Sequence, residues 1–176
     1  MSVLKIAGYK KHSFVDGPGV RFTVFTQGCP HACPGCHNPE TWDATGGFPI
    51  ETEDLIALIR GTRYLDGVTL SGGDPMMQAD ACAEIARAVR AAGLPLWVYT
   101  GYTFEQIRDG VAGDAAKRML QEIDVLVDGR FIQSRKDASV LWRGSSNQRL
   151  VDVQASLAQG EPVLYETEAA VLERAL

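Results

Sequence analysis

The chain has 176 residues, of which 45% are apolar, 22% charged and 8% aromatic, a globular composition with room for one core and not for two substantial domains. Seventeen Lys and Arg against 22 Asp and Glu give a net charge of −5, which leaves no cationic surface to neutralise a phosphate backbone and argues against a nucleic-acid partner. No apolar run approaches the roughly 20 residues that span a bilayer, and the run before Tyr9, Lys10 and Lys11 is too short for a secretory signal, so a cytoplasmic protein with no membrane partner is expected.

In chain order, Val20 to Thr26 is short and rich in β-branched and aromatic residues, which predicts a buried strand. The loop GCPHACPGCHNP follows it. Leu55, Ile56 and Ile59 share one face of a predicted helix, and Val68 to Ser71 predicts a second strand ending in GGDP. Cys82, Ile85, Ala86 and Val89 recur at helical spacing, which makes Cys82 a small core residue. Leu96 to Thr100 predicts a third strand ending in GY, and Thr103 with Gln106 forms a capping box opening a third helix. Ile123 to Asp128 predicts a fourth strand followed by GRF, with further strands near Leu150 to Val153 and Pro162 to Tyr165. The helical character of Thr167 to Leu176 covers too short a segment to argue from.

Nothing in this pattern divides the chain. One domain over 1–176 is expected, with a core at about 14–150 and an unassigned tail at 151–176. Alternating strands and helices predict right-handed βαβ units and a parallel sheet. The strands are too few for a closed eight-stranded barrel, so the expected fold is α/β, an incomplete, open parallel (β/α) barrel. Chemistry in such folds gathers at the carboxyl ends of the strands, where this sequence places its glycine-rich segments.

Three of the four cysteines, Cys29, Cys33 and Cys36, lie within eight residues on a loop broken by Pro30, Pro34 and Gly35. The clustering favours a metal over a disulfide framework. Three thiolates suit an iron–sulfur cluster with one iron left open, and the alternative is a zinc ion completed by His31 or His37. Spacing alone leaves both open, the second describing a zinc-binding interaction module.

The C-x3-C-x2-C loop after the first strand, with Ser71-Gly72-Gly73-Asp74-Pro75 after the second, resembles the radical S-adenosylmethionine superfamily. Within it, VDGPGVRFTVFTQGC (Val15 to Cys29) and CHNPETWD (Cys36 to Asp43) resemble the activating enzymes of glycyl radical enzymes, the pyruvate formate-lyase activators among them. WVYTGY (Trp97 to Tyr102), Gly35, and the segment from Val125 to Gln148 with its WRGSSNQ string resemble more closely the activating proteins of anaerobic ribonucleoside-triphosphate reductases. The resemblance runs from about Asp16 to Gln148. It implies a 4Fe-4S cluster on Cys29, Cys33 and Cys36, with S-adenosylmethionine as cosubstrate. It further implies that Gly35, Cys36 and His37 lie beside the adenine, that Ser71, Gly72, Gly73 and Asp74 hold the methionine end, and that Thr100 touches the cosubstrate. Asp128 and Arg130 resemble an acidic and basic pair contacting ribose and carboxylate. The implied activity is reductive cleavage to a 5′-deoxyadenosyl radical that takes hydrogen from a glycine of the reductase, with flavodoxin or ferredoxin as electron donor. Such chemistry needs no acid, base or nucleophile from the protein. His37 stands where a Tyr is usual in that subfamily, and Tyr99 stands where a cation site in relatives needs an acid. The Asp16 to Gly19 turn and the Trp142 to Gln148 string are candidates for partner docking or site shaping.

Overall fold

Strands that alternate apolar side chains between two faces need cover on both, and this chain supplies the two covers from different sources. The computed structural model describes residues 2–167, so most of the segment from Thr167 to Leu176 lies outside the described residues. Along the chain, β1 (Val3–Ser13) and β2 (Arg21–Thr26) are followed by β3 (Phe48–Glu51), α1 (Thr52–Gly61) and β4 (Gly67–Gly72). Then come α2 (Ala79–Ala91), β5 (Leu96–Tyr99), α3 (Phe104–Arg108), α4 (Asp114–Met119) and β6 (Val125–Asp128). Last are β7 (Arg149–Asp152), α5 (Val153–Gln159) and β8 (Val163–Leu164).

Among the described residues these strands form one sheet in the order β3-β1-β2-β4-β5-β6-β7-β8. The first four strands expected from the sequence are its parallel centre, β2-β4-β5-β6, and the further strands expected near Leu150 to Val153 and Pro162 to Tyr165 are β7 and β8. The flanks correct the expectation of an all-parallel sheet: β1 pairs antiparallel with β2 and β3, and β7 with β6 and β8. The fold is α/β with a mixed sheet. β1 and β3 were not foreseen, because β1 alternates burial only as far as Ile6 and then runs exposed through Lys10, Lys11 and His12. β3 is four residues long and contains Pro49, a residue that sheets tolerate at an edge.

One face is covered by helices. Leu4, Phe22, Val24, Val68, Leu70, Leu96, Val98 and Leu126 from the strands meet Leu55 and Ile59 of α1 and Cys82, Ile85, Ala86 and Val89 of α2 in a single buried cluster. The stripes read from the sequence are thus the buried faces of both helices, and the Thr103–Gln106 capping box is formed at the start of α3. The opposite face carries Trp97, Val125, Val127 and Leu150, with Trp142 and Tyr165 packed edge-on against Trp97.

Among the described residues no helix covers that second face at the amino ends of the strands. Instead the Asp16 to Gly19 turn folds under it, tied by the Thr69 hydroxyl donating to the Asp16 carbonyl (2.8 Å) and by Arg21. Arg21 is 1% exposed, and among the described residues no carboxylate pairs with its guanidinium. Its Nε donates to Thr69 Oγ1 (2.7 Å) and Nη2 to the carbonyls of Val68 (2.7 Å) and Pro95 (3.0 Å), while the ion stands 5.5 Å from the Trp97 ring centre. Desolvation lowers its pKa to about 10, which leaves it charged at neutral pH. Carbonyl dipoles and the ring quadrupole therefore replace water around this cation. Arg21→Met is expected to lower stability by about 2–4 kcal/mol in denaturant unfolding, because the Val68 carbonyl and the Thr69 hydroxyl lose their buried donor. Full stability in Arg21→Lys would show that the planar fork is dispensable.

Candidate metal centre

Because β2, β4, β5 and β6 run in the same direction, their carboxyl ends share one rim, and each strand hands over there to a tight segment. β2 leads into the cysteine loop, which is held by backbone bonds rather than by regular structure. The Gly28 N–H donates to the Thr41 carbonyl (2.8 Å), the Cys29 N–H to Trp42 (3.1 Å) and the Cys36 N–H to Cys33 (3.0 Å). The Gln27 side-chain amide donates to the carbonyls of Glu40 (3.0 Å) and Asp43 (2.7 Å), stapling the end of the loop to its beginning. Cys29, Cys33 and Cys36 are half-buried and unbridged. Burial pushes the Cys29 thiol up, as the loss of water disfavours thiolate, and the Asn38 N–H donates to the Cys36 sulfur (3.4 Å). Cys82 is fully buried on α2, the core residue its spacing suggested.

β4 delivers Ser71 and Gly72, and the chain then turns directly beneath the cysteine loop. The Gly73 N–H donates to the Thr26 carbonyl and the Asp74 N–H to the Gly28 carbonyl, both at 2.8 Å. A Cβ on Gly73 would overlap the Gly28 carbonyl oxygen, so this approach is open to glycine alone. The Asp74 carboxylate has no solvent exposure. It accepts from Thr100 Oγ1 (2.9 and 3.0 Å), the Gly101 N–H (3.0 Å), the Met76 N–H (3.0 Å) and His31 Nε2 (2.7 Å).

β6 ends at Asp128, also without exposure, whose carboxylate accepts from the Phe104 N–H (2.8 Å) at the start of α3. Its charged partner is Arg149, which stands opposite it in the β6–β7 register and donates through Nε at 3.0 Å. Arg149 also forks onto Glu105 (2.7 and 3.1 Å). Beyond β6, the strap from Phe131 to Gln148 folds back over the rim. The Tyr99 hydroxyl donates to the Trp142 carbonyl (2.8 Å), and the Gln148 side chain accepts from Gly144 N–H (2.8 Å) and donates to the Gly129 carbonyl (3.0 Å). Trp142 holds φ +56, a left-handed conformation unfavourable for an aromatic residue and retained because these contacts over-determine it.

Loop, strand ends and strap enclose a cavity of about 510 Å³, within the size range of small-molecule sites. Cys29, Cys33, Cys36 and His37 line it from the loop, Ser71, Gly72 and Gly73 from β4, and Thr100 from the end of β5. Asp16, Trp142 and Gln148 line it as well, so the DGPG turn and the WRGSSNQ string shape the site. Four expected site residues do not reach the wall. Gly35 is exposed and lies beside the Gln133 side chain. Asp74, expected to hold the methionine end, and Asp128, expected at the ribose, are buried and spend their oxygens on protein donors. Arg130 is exposed and does not pair with Asp128, since Gly129 (φ +93) turns the chain away after the strand. Arg149, Glu105 and the tie between His31 and Asp74 were missed, and all three depend on partners distant in sequence.

The donor set fits an iron–sulfur cluster. Three soft thiols converge on one cavity from a loop free of regular structure, and His31 Nδ1 beside them is buried without a partner. His31 meets Asp74 through Nε2 alone and the His37 ring rests 5.3 Å from Phe131, contacts that leave ring nitrogens open, so the case against a single zinc ion lies in the spacing of the groups. Among the described residues no three His, Cys, Asp or Glu are grouped to hold a single metal ion.

Comparison with known proteins agrees with the donor chemistry. A family model described as a 4Fe-4S single cluster domain matches residues 15–151. The chain is 40% identical to the anaerobic ribonucleoside-triphosphate reductase-activating protein of Salmonella typhimurium and 38% identical to that of Escherichia coli K12, over 80% of this chain and 93% of theirs. It is 42% identical to the protein of that description from Vibrio cholerae, over 76% of this chain and 88% of the other. Among solved structures, QueE from Escherichia coli aligns with a TM-score of 0.46 at 18% identity, over 57% of this chain and 53% of that one.

The Arg149 fork holds the Glu105 carboxyl down at about 2, from an ordinary 4.5. A depressed carboxyl contributes stability that is complete above the unfolded value and is lost as pH falls toward the folded one. Glu105 is 37% exposed, so screening limits the contribution to about 1 kcal/mol. Between pH 5 and 3 the metal-free chain is expected to lose more melting temperature than its Glu105→Gln variant; parallel pH profiles would remove the fork from the balance.

Proposed function

Because the chain belongs to the family of anaerobic ribonucleoside-triphosphate reductase-activating proteins, with their 4Fe-4S domain over residues 15–151, we propose that it installs the glycyl radical of such a reductase. In this reading it is a single radical S-adenosylmethionine domain of the open-barrel type. The observation that carries the proposal is the convergence of three unbridged cysteines with the ends of β4 and β5 on one cavity. Cys29, Cys33 and Cys36 would hold the cluster and leave one iron open for the methionine end of the cosubstrate. Bound there, the cluster would supply the electron that cleaves S-adenosylmethionine to methionine and a 5′-deoxyadenosyl radical, the species that takes the glycine α-hydrogen.

The remaining work of the chain is positioning and exclusion. Ser71, Gly72 and Gly73 present backbone and a small hydroxyl at the rim, which allows close approach of the cosubstrate without displacing a side chain. Cys36 and His37 line the same cavity, and His37 rests against Phe131 at the strap. Trp142 and Tyr99 close the cavity from the sheet side with side chains that offer no ionisable group near neutral pH, since burial pushes the Tyr99 phenol further up. A glycine target suits the mouth, since glycine has no side chain to obstruct entry. Flavodoxin or ferredoxin is the electron donor in this reading, and the cytoplasm its compartment.

The test is anaerobic reconstitution with iron and sulfide, reduction with dithionite and addition of S-adenosylmethionine, with and without the reductase. 5′-Deoxyadenosine and a glycyl doublet in the paramagnetic resonance spectrum of the reductase are the expected products. A doublet on pyruvate formate-lyase instead would reassign the partner, and a colourless protein with stoichiometric zinc would refute the cluster. Cys33→Ala is expected to remove iron binding and cosubstrate cleavage together, to below about a hundredth of wild type, since removal of one ligand leaves a further iron without protein support. Retention of either in that variant would overturn the ligand assignment.

A further inference from the structure

The acidic residue of the SGGDP turn lies closest in sequence to the cavity and yet does not reach it. Asp74 has no exposure, and its two oxygens accept from two backbone N–H groups, one hydroxyl and one imidazole. Four donors on one carboxylate nearly exhaust its acceptor capacity, so a further ammonium or amine would have to displace an existing bond. The imidazole is the informative donor. His31 lies inside the cysteine loop, between Cys29 and Cys33, and its side chain is only 4% exposed. Its neighbours between those cysteines, Pro30 and Ala32, have no side-chain hydrogen-bonding group.

The seat for His31 is built on all sides. Tyr102 packs edge-on against the ring with centroids 4.7 Å apart, and a Cβ on Gly101 would overlap the ring. Thr100 and Gly101, at the end of β5, hold the carboxylate from one side, and Met76 after β4 holds it from the other. The Asp74 N–H meanwhile donates to Gly28 at the root of the same loop. One buried carboxylate thereby joins the ends of β4 and β5 to the loop that carries the cysteines.

From this geometry we infer that His31 and Asp74 form a latch that positions the cysteine loop, and that Asp74 is a positioning residue rather than a contact for the methionine end of the cosubstrate. The inference rests on the cluster reading of the site for its consequence, not for its geometry. A loop without helix or strand pays for convergence of three thiolates in conformational entropy, and the latch removes that freedom before the cluster binds. His31 acts through a hydrogen bond to a buried carboxylate, so its loss releases the loop and leaves Asp74 Oδ2 one donor short.

Reconstituted wild type, His31→Ala, Asp74→Ala, the double variant and His31→Gln are compared for the rate at which an iron chelator strips the cluster and for affinity toward S-adenosylmethionine. Each alanine variant is expected to release iron at least about tenfold faster, the double variant no faster than the worse single one, and His31→Gln, which keeps a donor, within about threefold of wild type. If Asp74→Ala instead weakens cosubstrate binding while its cluster is retained, and His31→Ala changes neither, the latch is refuted. Additive effects of the two alanines would refute it too. Should Asp74→Ala fail to fold, His31→Ala on the loop carries the comparison with His31→Gln. Amide hydrogen exchange of the metal-free chain separates the two levels of failure. Faster exchange at Gly28 to Cys36 and at Gly101 in His31→Ala supports the latch even if no cluster binds, and unchanged exchange overturns it even if one does.

Discussion

The site depends on one constraint, the common direction of β2, β4, β5 and β6. In-register parallel pairing brings the ends of four strands to a single rim, so segments separated by many residues meet without any long loop having to find its place. An antiparallel centre would have sent alternate loops to opposite ends. The antiparallel flanks do the complementary work of finishing the sheet, with β1 and β3 at one edge and β7 and β8 at the other. One of those flanks also supplies Arg149, whose register with Asp128 follows directly from antiparallel pairing.

Two carboxylates without solvent exposure lie at this rim, and the chain treats them differently. Asp128 meets a full positive charge from Arg149 and one backbone donor at the start of α3, which fixes that helix to the end of β6. Asp74 meets two backbone N–H groups, a hydroxyl and an imidazole, which spread its charge over several dipoles around the metal loop. In both cases burial is tolerable because the oxygens lost to water are recovered by protein donors. Arg21, at the opposite ends of the strands, reverses the sign of the problem and solves it with carbonyls and the Trp97 ring.

The parts of this site that were legible in the sequence are those with local causes. Cys29, Cys33 and Cys36 are close enough in sequence to share a ligand whatever surrounds them. The stripe from Cys82 to Val89 could only bury one helix face, and the Thr103–Gln106 box needs no partner outside its own turn. Other features gave no local signal. β1 loses its alternation where it becomes exposed, and β3 is too short to carry a period. Arg130 was the nearest cation to Asp128 in sequence, yet Gly129 turns the backbone and Arg149 takes its place from across the sheet. His31 looked like a ligand among cysteines, and nothing within ten residues of it announces Asp74.

Sequence alone therefore determined the chemical kind of the site, a three-cysteine loop and glycine-rich turns at successive strand ends, because ligand identity and spacing are properties of short segments. Tertiary structure decided which polar residues face the cavity and which are consumed in holding it open. Asp74 and Asp128 are buried and accept from donors brought by distant strands, since desolvation acts on position in space rather than on order along the chain.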